Sequence, residues 1–113
     1  MSASTYNISL ERNADYSVTL ILKDSQGVPI DVTDAYVCGQ IKQDYYFPPI
    51  EEFIIDKITP ESGVVKLRLE AAQTVRLHPG ELKYDILVRY SDWTYQKLLK
   101  GTVSVDPNIT TIV

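Results

Sequence analysis

Apolar residues recur at every second position in one short stretch after another along this chain, and a period of two is the repeat of a strand with one face on a core. The pattern begins with Tyr6, Ile8 and Leu10, separated by Asn7, Ser9 and Glu11. It is clearest at Tyr16, Val18, Leu20 and Leu22. Val37, Gly39 and Ile41 continue it against Tyr36, Cys38, Gln40 and Lys42. At Phe53, Ile55 and Ile58 the register slips by one residue, which predicts a bulge. Val65, Leu67 and Leu69, then Leu82, Tyr84, Ile86, Val88 and Tyr90, then Leu99, Gly101, Val103 and Val105 complete the set.

Turn chemistry separates these stretches. Asp24-Ser25-Gln26-Gly27, Thr59-Pro60-Glu61-Ser62-Gly63 and Pro79-Gly80 each combine residues that cap a turn or accept a positive φ. Pro48 and Pro49 keep the aromatic stretch from Asp44 to Ile50 out of regular structure, so a loop or an irregular edge is expected there. Only residues 71–77 read as helical, and about two turns cannot stand without packing on a neighbour. That segment is predicted to cross between strands.

Seven short strands at roughly ten-residue spacing with one crossover predict an all-β fold: an immunoglobulin-like, seven-stranded antiparallel β-sandwich with one short helical crossover. An up-and-down barrel is the alternative. The crossover after the fifth strand favours the sandwich, where that connection passes between sheets. Tyr84 is expected either in the core or at a corner where its hydroxyl bonds back to upstream backbone.

A chain of 113 residues fits one domain, residues 1–113, with residues 106–113 as a docking tail. Hydrophobic residues make up 44% and charged residues 23%, enough apolar material for a core. No apolar run approaches the ~18 to 20 residues that cross a bilayer, and no secretory leader pattern opens the sequence. A membrane role is not expected. A lone Cys38 within an apolar run is expected to be a small buried side chain. The net charge of −4, from 15 acidic and 11 basic residues without any block of like charge, disfavours a phosphate backbone as partner.

Catalytic constellations do not emerge. His78 is the one histidine and has no thiol or second imidazole at metal-ligand spacing. There is no G-x-S-x-G elbow and no glycine-rich phosphate loop. Asp24, Asp31 and Asp34 share a connection and could offer oxygens to Ca²⁺, but their spacing suits turn formation better. No enzyme activity, metal or cofactor is expected.

Aromatic residues outside the alternating pattern point to binding instead. Tyr45, Tyr46, Phe47 and Ile50 put apolar area into the proline-rich stretch, and the alternative is that they cover an open edge of the sandwich. Trp93 and Tyr95 form a second candidate at the turn before the last strand. Ile109, Ile112 and Val113 make the tail β-prone, able to add a strand to a neighbour's sheet. Counting reversals puts the 45–50 stretch, the helix and the tail at one end, and the 24–34 connection, the 59–63 turn and Trp93 at the other.

Several segments in order resemble tailed-bacteriophage virion structural proteins with an immunoglobulin-like fold, including the amino-terminal domain of the phage baseplate upper protein family. They are Gly27-Val28-Pro29-Ile30-Asp31-Val32-Thr33, Ser62-Gly63-Val64-Val65-Lys66-Leu67, Leu69-Glu70-Ala71-Ala72-Gln73-Thr74, Pro79-Gly80 with Tyr84-Asp85-Ile86, and Leu99-Lys100-Gly101-Thr102-Val103-Ser104-Val105. The resemblance spans nearly the whole chain, apart from the longer stretch at 45–50. It implies a virion component, made in the host cytoplasm, that assembles in many copies with other virion structural proteins in a tail, baseplate, neck or fibre attachment. It implies no catalytic site. A capsid decoration protein of the same fold and a carbohydrate- or ligand-binding sandwich are the alternatives.

Overall fold

Alternation sorts the side chains of each strand between a shared core and solvent, and two sheets in a sandwich-like arrangement result. The structure is a computed structural model that describes residues 4–44 and 46–107. Its strands are β1 (Ser4–Thr5), β2 (Ile8–Glu11), β3 (Tyr16–Ile21), β4 (Tyr36–Lys42), β5 (Pro49–Glu52), β6 (Ile54–Thr59), β7 (Val64–Leu69), β8 (Gly80–Arg89) and β9 (Tyr95–Asp106). The larger sheet runs β1–β9–β8–β4–β5, with β2 also on β9, and the smaller runs β3–β7–β6.

The all-β architecture follows the expectation; the count and the directions depart from it. Among the described residues there are nine strands and not seven. An extra short strand, β1, precedes the first expected one, which is β2, and the stretch expected as a loop or an irregular edge contributes β5, an edge strand with a register shift. Pro49 is tolerated because it opens a short edge strand, where its missing N–H removes no interior ladder bond. Nor is the sandwich wholly antiparallel, since β1 and β2 both pair parallel with β9.

The core joins both sheets. Val65 and Leu67 of β7 are fully buried, facing Ile86 and Val88 of β8, Ile41 of β4 and Val103 of β9, also fully buried. Each such side chain contributes roughly 1.5–3 kcal/mol on leaving water. Phe53 is the single residue between β5 and β6, where the chain changes sheets, and its ring meets Tyr84 edge-on at 5.6 Å. The slip near Ile58 is present: Lys57 faces Val65 and Thr59 faces Val64, leaving Ile58 as the extra, exposed residue. A second bulge sets Ile86 opposite Leu99 and Leu87 opposite Lys97, so the consecutive Leu98 and Leu99 are both buried.

The helix α1 covers only Ala71–Thr74, shorter than residues 71–77, and links the small sheet to the large one. Glu70 and Gln73 form a reciprocal capping box at its start. Thr74 is buried, and its hydroxyl both donates to the Ala14 carbonyl and accepts from the Ala14 N–H. At Gly63, φ is +73°, and a Cβ would press on the carbonyl oxygens of Leu22 and Ile30, so that turn requires glycine.

Tyr84 takes the core place that was one of its two expected positions, and its hydroxyl donates to the Tyr6 carbonyl, 2.6 Å away between β1 and β2. One local expectation is corrected. Cys38 is half-exposed and not buried, because it alternates with the inward Val37 and Gly39 and therefore points to the outer face of the large sheet.

Candidate functional site

Cross-strand register assembles an exposed aromatic row at one end of the large sheet. Tyr36 opens β4, Arg89 closes β8 and Tyr95 opens β9; Tyr36 is the partner of Arg89, and Arg89 of Tyr95. Partners share a face. Val37 and Val88 point into the core, so their neighbours Tyr36 and Arg89 point out.

Trp93 folds over this row from the β8–β9 turn. The turn is closed by the Tyr90 N–H donating to the Thr94 carbonyl at 2.8 Å and the Trp93 N–H donating to the Tyr90 carbonyl at 2.9 Å. Asp92 accepts from the Thr94 hydroxyl at 2.6 Å and from its N–H at 3.1 Å, and these bonds hold the Asp92 carboxyl below the usual carboxylate range. Trp93 itself has φ +66°, a left-handed backbone that bulky side chains avoid.

The Arg89 guanidinium lies 4.2 Å from the Trp93 ring centroid and 5.2 Å from that of Tyr36. Two ring faces within reach of one guanidinium hold the Arg89 side chain by cation–π attraction. Tyr36 is 52% exposed, Trp93 66% and Tyr95 58%. Beside them opens a cavity of about 350 Å³, lined also by Thr33, Asp34, Ala35 and Ser91. The Lys57 ammonium holds the segment leading into β4 by donating to the carbonyls of Thr33 and Ala35, two of the lining residues.

Tyr46 and Phe47 lie at the other end of β4, about 20 Å away at ~3.4 Å per residue. Tyr46 is almost wholly exposed and Phe47 half-exposed in a turn closed by the Phe47 N–H on the Asp44 carbonyl. Ile50 departs from its expected place: it lies in β5 and packs partly against the core, as an inward position of an edge strand must. Tyr45, Ile109, Ile112 and Val113 lie outside the described residues.

Trp93 and Tyr95 are thus brought together, with Tyr46 and Phe47 separate from them. Sequence reasoning missed Tyr36 and Arg89. Both occupy outward positions at strand ends, a legible signal, but their adjacency depends on the pairing of β4 with β8.

The chemistry available elsewhere is limited. Burial, and then the nearby Glu52 and Asp85 carboxylates, push the Cys38 thiol up, away from the reactive thiolate. Asp24 accepts from the N–H groups of Gln26 and Val28, and Asp31 from the Thr33 N–H and hydroxyl, so both carboxylates build turns. Among the described residues no three His, Cys, Asp or Glu side chains group to hold a metal ion, and no helix is long and apolar enough to cross a membrane. Compared with known proteins, the chain matches no family model and no curated sequence.

Proposed function

We propose that this chain is a non-enzymatic, immunoglobulin-like assembly domain of a tailed-bacteriophage virion, in its tail, baseplate, neck or fibre attachment, acting through contacts with other virion proteins. The strand order supports the immunoglobulin-like reading. Taking β3, β7 and β6 as strands B, E and D, and β9, β8, β4 and β5 as G, F, C and C′, gives an order in keeping with that fold, with the N-terminal strands β1 and β2 set on β9 and not beside β3. The ordered segments quoted above support the phage assignment.

The observation that carries the docking reading is Trp93. A large ring, mostly exposed, held in a left-handed backbone and stacked on arginine, contributes little to the core and costs conformational energy. Tryptophan and arginine are the residue types most enriched where binding energy concentrates. Tyr46 and Phe47 offer a second contact at the opposite end, as a subunit between two neighbours needs.

Fractionation of phage particles tests this. The protein is expected with tails, and Trp93→Ala and Arg89→Ala are expected to abolish incorporation while the isolated domain stays folded. Recovery with heads would favour the decoration role, and recovery outside particles would overturn the virion reading. One observation favours a glycan-binding reading: the open cavity beside Trp93 has the polar Thr33, Asp34 and Ser91 on its wall. Arg89 already covers one face of the indole, which leaves less ring for a sugar. A glycan panel read by Trp93 fluorescence distinguishes the two.

A further inference from the structure

A second surface, independent of the Trp93 end, lies on the outer face of the large sheet toward the β4–β5 turn. Lys42 of β4 and Lys83 of β8 are direct cross-strand partners, and one step along the sheet Asp85 faces Lys100 of β9. Lys97 joins from the same side, with its ammonium 3.2 Å from Asp85. These side chains and Asp44 surround a cavity of about 330 Å³, at the small end of the ~300 to 1,000 Å³ usual for binding pockets.

The charge arrangement is unfavourable for the fold by itself. Like charges directly opposite in an antiparallel pair destabilise it, and Lys42 faces Lys83. Among the described residues neither Lys42 nor Lys100 has an ion-pair partner, while Lys83 reaches only Glu81, at 3.3 Å. Four lysines and two aspartates line the groove; with Lys83 on Glu81 and Lys97 on Asp85, Lys42 and Lys100 give it its cationic character, in a chain whose net charge is −4. An anion bridging Lys42 and Lys83 removes their repulsion.

We infer that this groove docks an acidic peptide segment of a partner protein. The carboxylates of Asp85 and Asp44 divide the positive charge into separate points, which suits spaced side-chain carboxylates. A long polyanion meets repulsion at the edge, because Glu52 of β5 faces Gln40 on the same surface. The groove is therefore too short and too bounded for a nucleic-acid backbone.

The test titrates the full chain with a synthetic hexaglutamate peptide, followed by amide chemical shifts and calorimetry. Saturable binding is expected, with shifts at Gln40, Lys42, Lys83 and Lys100, weakening steeply between ~0.05 and ~0.5 M salt. Lys42→Gln with Lys83→Gln is expected to weaken it about tenfold, and Trp93→Ala to leave it unchanged. Lys100→Gln supplies a second variant, and melting temperatures at or above that of the parent show that the fold is kept. No saturable binding, or equal binding by the double variant, would overturn the proposal. So would tighter binding of a single-stranded oligonucleotide, or the same shifts with inorganic phosphate alone.

Discussion

The Tyr84 hydroxyl donates to the Tyr6 carbonyl at 2.6 Å, and this bond holds the N-terminal strand across β9 where β1 gives way to β2. Gly101 is the residue that lets the strands approach there. It faces Tyr84 across the sheet, and a Cβ on it would overlap the Tyr6 carbonyl. The Tyr6 N–H donates to the Lys100 carbonyl and the Asn7 side chain accepts from the Thr102 N–H, so the ladder is patched around the break.

Replacing Tyr84 by Phe leaves the ring in the core and removes the donor. A loss of about 1–3 kcal/mol is expected, since the Tyr6 carbonyl is left without that partner. Urea denaturation measures it. Gly101→Ala is expected to displace β1 and β2, read as faster amide exchange at Ile8 and Leu10.

Alkaline pH acts through the same region. Burial, and then the neighbouring Tyr6, push the Tyr16 phenol up to about 12 from its ordinary 10.0, and burial raises Tyr84 as well. Below pH 10 both the folded and the unfolded chain keep these protons, so their contribution is fully present and stability is flat. As pH rises from 10 toward 12 the unfolded chain loses protons that the fold retains, and stability falls. Denaturant midpoints across this range are expected to decline less in Tyr16→Phe and Tyr84→Phe.

Trp93→Gly separates stability from docking. Relief of the left-handed strain returns roughly 1–2 kcal/mol. Loss of the stack on Arg89 and the added chain entropy of glycine each take back about 0.5–1 kcal/mol. Stability within about 1 kcal/mol of the parent is therefore expected, with incorporation into particles lost; denaturation and particle fractionation check the two halves.

Thr74→Val keeps the shape and deletes the hydroxyl. The N–H and carbonyl of Ala14 both lose their partner, and about 1–3 kcal/mol of destabilisation is expected in thermal unfolding. Exchange at the Ala14 amide should rise with it.

Lys57→Met tests the hold on the segment leading into β4. The carbonyls of Thr33 and Ala35 are then left to water, and amide exchange in residues 33–36 is expected to rise while β7 stays protected. Incorporation should weaken less than with Trp93→Ala.

The sequence by itself determined which residues face inward in most strands, because alternation is local: Val65, Leu67 and Leu69, or Tyr84, Ile86 and Val88, need no knowledge of partners. It also marked Trp93 and Tyr95 as aromatic residues outside the core. Only the tertiary structure decided what lies beside what. The bulge that buries both Leu98 and Leu99 depends on β8, and the parallel seat of β1 and β2 depends on the space over Gly101. The stack of Tyr36, Arg89 and Trp93 joins residues up to 57 positions apart through the pairing of β4 with β8. Such contacts are set by register between distant strands, and periodicity within a strand carries no information about register.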